Sequence, residues 1–230
     1  MHKSIAAILL LAVAACAADS QATPVTVPPG LHQGDHYRLA FVTSTTTDAT
    51  SNSITNYNSF ATTSANSNSQ LAALGTTWAA IASTTNIDAD VNTSTIPNTS
   101  PDYPIYNLEG DLVATSNFAL WDTDDNDLLG NFAVNQNGQE LFAGTWTGTN
   151  DDGTSAGSFS LGGATPYTGF SSETNYEWIG FGVSGVNANT VKFSLYGISG
   201  VLTVPVPEPS TLVLAALGGL ALLAMRPRRA

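Results

Sequence analysis

The residues best suited to chemistry are carboxylates. Asp122, Asp124, Asn126 and Asp127 fall within one six-residue stretch, and Asp151 and Asp152 sit in a second turn, Asn150-Asp151-Asp152-Gly153. Hard oxygen donors at this density are the ligand type that calcium takes, so Asp122, Asp124, Asn126, Asp127, Asp151 and Asp152 form a candidate calcium set if the two loops meet. The first stretch is not an EF-hand loop: its sixth position is Asp127, where glycine is needed, and its twelfth is Ala133, where a bidentate glutamate belongs. The bland alternatives are a solvated acidic turn for the first and an Asx-type turn for the second. His32 and His36 would chelate a metal on a helix, but Gly34 between them and Pro28-Pro29 before them argue against one. Glu173 and Glu177 could serve as a carboxylate pair for glycoside hydrolysis, with nothing nearby to support them. No Gly-x-Ser-x-Gly, Cys/His pair or phosphate loop is present, so the chain reads as a non-enzyme. Trp78, Trp121, Trp146 and Trp178 read as core residues, with a sugar-stacking platform as the alternative for one of them.

The carboxylates need a scaffold, and the chain divides into three parts: 1–22, 23–204 and 205–230. Met1-His2-Lys3 is a short basic start, Ile5–Ala15 an apolar run too short to span a bilayer, and small residues follow at Ala15-Cys16-Ala17 and Ser20-Gln21-Ala22. This is the pattern of a secretory signal peptide, which brings in signal peptidase and the export machinery as partners. Val13-Ala14-Ala15-Cys16 also fits a permissive lipobox, which would make Cys16 a lipidation site; the alternative is ordinary cleavage near Ala17 or Ala22. Cys16 is the only cysteine, so no disulfide forms within a monomer and stability must come from core burial.

The middle part suits one domain. Of the six basic residues only Arg38 and Lys192 lie within it, whereas all of the 18 acidic residues except Asp19 and Glu208 do. A surface this negative repels nucleic acid and suits cations, neutral glycans or simple solubility. Tyr37–Thr43 is rich in β-formers and reads as a strand. Ile54, Tyr57, Phe60 and Ala61 fall at helical spacing behind Asn52 or Ser53 as cap. Leu71 and Leu74 suggest a second short helix stopped at Gly75. Residues 77–83 lean to strand, 86–102 to a polar loop, and Ile105–Leu108 and Leu112–Ala114 to a hairpin turned by Glu109-Gly110-Asp111. Phe118–Trp121 is a short apolar segment, 140–147 carries Leu141, Phe142 and Trp146, and Gly162-Gly163 reads as loop flexibility. Three further strands are expected at Tyr176–Val183, Val191–Tyr196 and Gly200–Val204. The expected fold class is α+β, with two short N-terminal helices, irregular antiparallel strands and a C-terminal hydrophobic helix; an all-β sandwich is the alternative.

The end of the chain follows a different logic. Pro205-Val206-Pro207-Glu208-Pro209 excludes regular structure, Ser210 or Thr211 can cap a helix, Leu212–Met225 is uncharged, and Arg226, Arg228 and Arg229 close the chain. As a helix the apolar run spans about 21 Å, short of a ~30 Å hydrocarbon core unless Pro209–Thr211 join it, and the arginines would stay cytoplasmic. An ordinary tail anchor or a buried core helix is the plain reading.

Pro207-Glu208-Pro209, the apolar run and the three arginines, in that order, resemble the PEP-CTERM sorting signal of Gram-negative bacteria. The resemblance implies an exosortase-type sorting protease as partner, transient inner-membrane anchoring, cleavage near Pro207-Glu208-Pro209, and release to the cell surface or extracellular matrix, where a biofilm-type role and contact with extracellular polysaccharide are expected. A second resemblance rests on Tyr37–Ser44, Leu74–Ile81, Pro104-Ile105-Tyr106, Leu120-Trp121-Asp122, Trp146-Thr147-Gly148-Thr149 and Leu195–Ser199. These are similar to segments of PEP-CTERM surface proteins with C-type-lectin-like or endostatin-like domains. It implies a lectin-like fold, but Gly197 stands where the closing Leu-Tyr-Cys has cysteine, and the Glu-Pro-Asn and Trp-Asn-Asp calcium motifs are absent, so lectin activity does not carry over. The function expected is a non-enzymatic structural or adhesive surface protein; the alternatives are a carbohydrate- or calcium-dependent binding module and a secreted hydrolase.

Overall fold

The computed structural model describes residues 22–122, 128–180 and 187–206. Strand β1 (His36–Val42) is the spine of a mixed sheet, flanked antiparallel by β7 (Tyr196–Ser199) and parallel by β3 (Ile105–Tyr106). Outside β7 lies β2 (Trp78–Ala80), and outside β3 lies β4 (Leu112–Ala114), giving the order β2-β7-β1-β3-β4. A last strand, β8 (Leu202–Thr203), pairs with the start of β1, His36 opposite Thr203. Strands β5 (Gly144–Trp146) and β6 (Thr168–Phe170) form a separate antiparallel ribbon.

β1 is central because both of its faces are apolar. Tyr37, Leu39 and Phe41 enter one cluster with Ala65, Leu71, Trp78, Leu108 and Val134. Ala40 and Val42 point the other way, toward Ile105, Trp121, Phe132, Trp178, Tyr196 and Ile198. The period-2 alternation of a strand distributes the run over both sides of the sheet. Arg38 shares the side of Ala40 and Val42 by the same alternation. A third cluster joins helix α1 (Ile54–Asn66) to the ribbon through Tyr57, Ala61, Trp146, Leu161 and Leu195.

The expected strand at 37–43, the helix behind Ser53, the short helix α2 (Ser69–Ala72) and the 105–114 hairpin all form. Gly110, at φ +91°, makes the hairpin turn, and the Asn107 carboxamide oxygen accepts the Glu109 and Asp111 N–H groups at 3.0 Å each. The four tryptophans are core residues with at most 3 % of their surface exposed, which removes the sugar-platform alternative.

Other expectations need correction. The sheet is not wholly antiparallel, because β1 and β3 run parallel, Arg38 opposite Ile105. The all-β alternative fails on α1, whose buried Tyr57, Ala61, Ser64 and Ala65 follow helical spacing. The polar 86–102 segment contains helix α3 (Ala89–Thr93), and Phe118–Trp121 lies largely in helix α4 (Asn117–Leu120), capped by the Ser116 hydroxyl on Ala119 N–H at 2.9 Å. Tyr176–Trp178 is a 3-10 turn rather than a strand: the Asn175 carboxamide accepts Glu177 N–H at 2.8 Å and starts it. Of Val191–Tyr196, only Tyr196 belongs to a strand; Phe193 and Ser194 make isolated bridges to Thr47 and Thr145. Gly162-Gly163 is not slack loop: a Cβ on Gly163 would collide with the Ser158 carbonyl oxygen. The C-terminal helix and the Tyr176–Val183 strand's last residues lie outside the described residues. Among the described residues no helix is long and apolar enough to cross a membrane.

Candidate functional site

The second acidic loop is built as the Asx-type turn its sequence suggests. The Asp152 carboxylate accepts Thr154 N–H at 2.9 Å and also the Thr154 hydroxyl, while Asp151 accepts Asp152 N–H at 3.1 Å. Gly153, at φ +83°, lets the turn close, and its carbonyl accepts Ala89 N–H at 2.9 Å and Asp90 N–H at 3.3 Å at the start of α3. A Cβ on Gly153 would stand 2.8 Å from Trp121 Cδ2 and 3.0 Å from the Asp90 Cβ. The turn is therefore seated between the Trp121 indole and α3, which brings it to the residue that precedes Asp122. Trp121 is itself held by its Nε1–H bond to Thr95 Oγ1 at 2.9 Å and by packing on Trp178 at 5.7 Å between ring centres.

Asp88 and Asp90, which sequence reading passed over inside a presumed loop, belong to this acidic face. Asp88 accepts Ser155 N–H at 2.7 Å and so ties α3 to the turn. Asp90 is 8 % exposed, and burial raises its pKa above the ordinary carboxylate value; the Val91 N–H works against this, and the Asp88 and Asp152 charges add to it. The Asp-x-Asp pair ahead of Val91 was the available signal, an acidic helix start. Among the described residues no group of three or more His, Cys, Asp or Glu is arranged to hold a metal ion. Asp122 is described, whereas Asp124, Asn126 and Asp127 lie outside the described residues, as do Cys16, Pro207, Glu208, Pro209, Arg226, Arg228 and Arg229.

The other candidates are not brought together as catalytic or metal sites. His32 pairs with Asp35 at 3.6 Å on the surface, and His36 shares a 2.9 Å hydrogen bond with the Thr203 hydroxyl at the sheet edge. Glu173 follows β6 and accepts the Ser172 hydroxyl at 3.2 Å, whereas Glu177 lies in the 3-10 turn. A groove of about 590 Å³ that sequence reading missed runs beside the β3–β4 turn, with Glu109, Asp111, Glu140, Asn131 and Leu129 on its walls. Glu140 is distant in sequence from Glu109 and Asp111, so no local pattern announces the groove.

The junction between domain and tail has a defined geometry. Val204, 8 % exposed, donates its N–H to the Asp35 carbonyl at 2.9 Å and accepts Gly34 N–H at 3.1 Å. Beyond it Pro205 and Val206 are exposed, Val206 at 61 %. Among the described residues Val204 is the last that is buried. No curated protein matches the chain, so the lectin-like likeness rests on its short motifs alone. Residues 205–229 match the PEP-CTERM protein-sorting motif, which marks the chain for processing by exosortase and for exosortase-dependent export to the cell surface.

Proposed function

We propose that the chain is a non-enzymatic surface or matrix protein, with a structural or adhesive role exercised by residues 23–204 after the tail has delivered it. The observation that carries this reading is that the sorting motif starts at Pro205, directly after the buried Val204 and where the described chain becomes exposed. A sorting protease needs an accessible segment, and the exposed Pro205 and Val206 open the motif outside β8. Transient anchoring by the apolar run and cleavage near Pro207-Glu208-Pro209 complete the proposal. The structural role is supported by the tryptophans, all four of which lie in the core and so are not offered as a ligand platform. Mass spectrometry of both ends of the mature protein, from cells with and without the sorting protease, tests the delivery. Retention on matrix polysaccharide by the purified protein tests the adhesive role.

A second reading, a cation-dependent binding module, is favoured by the contact of Gly153 with Trp121. That contact sets the Asp151-Asp152 turn beside the segment opening at Asp122, and the negative charges of Asp88 and Asp152 repel the Asp90 carboxylate. A bound calcium ion would relieve that repulsion. Thermal unfolding with calcium and with chelator tests it.

A further inference from the structure

Arg38 is a buried cation whose hydrogen bonds use only part of its donor set. It is 5 % exposed on the central strand. Its Nη1 donates to the carbonyls of Thr93 and Ser199 at 3.0 Å each, and its Nη2 donates to the Ser94 carbonyl at 3.1 Å. Thr93 and Ser94 are the last residue and the C-cap of α3, so the end of the guanidinium fork satisfies two consecutive orphan carbonyls there. A guanidinium has five N–H donors in one plane. Three are used on carbonyls, and Nε–H bonds no described residue; with an Nη2 N–H it forms the parallel pair that matches the two oxygens of a carboxylate.

The charge is equally unspent. Lys192, the other Lys or Arg among the described residues, pairs with Asp48 at 2.6 Å, whereas Arg38 meets no carboxylate among the described residues. A buried cation held by neutral carbonyls alone is costly, and an anion at its free edge would offset that cost. Space for one is present. Arg38, Thr93, Ser94 and Ser199 line a cavity of about 260 Å³, whose rim includes Thr77 and Val201. That volume lies below the roughly 300 Å³ at which pockets for drug-sized ligands begin, so the occupant is small.

We propose that this cavity is a binding site for the carboxylate of a small, singly charged acid of about the size of one sugar acid, with Arg38 as the anchor. A polyanion is disfavoured because the domain around the cavity is strongly negative. The site is independent of how the tail is processed, and its test does not depend on the sorting reaction.

The test is an NMR titration of the purified full-length protein with D-glucuronate, D-glucose and inorganic phosphate, following the backbone amides of Ser94 and Gly200. Glucuronate should shift both amides saturably, glucose at equal concentration should leave them in place, and phosphate should bind more weakly. Two variants locate the contact. Arg38→Lys keeps the charge and loses the planar fork, and should weaken glucuronate binding by about 10-fold or more. Val201→Glu sets a like charge on the exposed rim and should weaken it by about 10-fold with unchanged thermal stability, so it carries the test if Arg38→Lys does not fold. The proposal is overturned if glucuronate produces no saturable shift, if glucose shifts the same amides equally, if phosphate binds more tightly, or if Val201→Glu binds glucuronate as the unaltered protein does.

Discussion

Val204 and Asp35 are joined by a 2.9 Å backbone hydrogen bond immediately before Pro205, the first residue that matches the sorting motif. The bond closes β8 against the start of β1, and it fixes the distance along the chain at which the sorting segment begins. Residues 205–229, beyond it, match the sorting motif; residues 23–204, before it, are the proposed cargo. The two parts obey different physical rules. The cargo is held by apolar clusters on both sides of β1, and the address is a proline-rich segment, an uncharged run and a basic end.

Gly153→Ala should destabilise the domain by about 2 kcal/mol, because the position combines φ +83° with a Cβ that would stand 2.8 Å from the Trp121 ring. Chemical denaturation followed by tryptophan fluorescence checks this. Alanine at Gly75, whose φ of +60° is similar but whose surroundings are open, should cost less, so the difference between the two isolates the Trp121 contact.

Asp90→Asn should stabilise the protein at neutral pH and have little effect in acid. Burial raises the folded-state pKa of Asp90 above its unfolded value, so the unfolded chain releases this proton first. Its contribution to stability is therefore fully present below the ordinary carboxylate pKa and is lost as pH rises through the raised one. Asparagine keeps an oxygen for the Val91 N–H while removing the charge. Denaturation curves at acidic and neutral pH measure the difference, and an equal effect at both would contradict the burial argument.

Calcium should raise the unfolding temperature, and Asp151→Asn should reduce the rise, because this carboxylate lies in the turn seated against Trp121. The check is differential scanning calorimetry with calcium, magnesium and chelator. An unchanged midpoint across all three would leave the acidic loops as solvated turns.

The parts of the fold legible in the sequence are those where one physical signal dominates. The run from Tyr37 to Val42 is nearly continuous in β-formers because both faces of β1 are covered, and the Ile54–Ala61 spacing marks a helix because one of its faces alone is buried. The misread parts are local alternatives decided by tertiary contacts. The Asp88–Ser94 segment looks like polar loop, yet the Gly153 carbonyl and the Arg38 guanidinium, from distant parts of the chain, satisfy the two ends of α3. Tyr176–Trp178 has strand composition, but the Asn175 side chain captures Glu177 N–H and tightens a 3-10 turn. Among candidate sites, the Asp151-Asp152 turn was visible from its residue types, whereas its meeting with Asp88, Asp90 and Trp121 is a property of the fold. The sorting segment was fully legible because its function lies in linear order rather than in packing.

The most direct measurement of the central claim is intact mass of the mature protein's C-terminus from isogenic cells with and without the sorting protease. The predicted result is a chain ending near Pro207-Glu208-Pro209 in the first and a chain retaining Leu212–Met225 and the terminal arginines in the second. A tail intact in both would contradict sorting and leave residues 205–230 as a plain anchor.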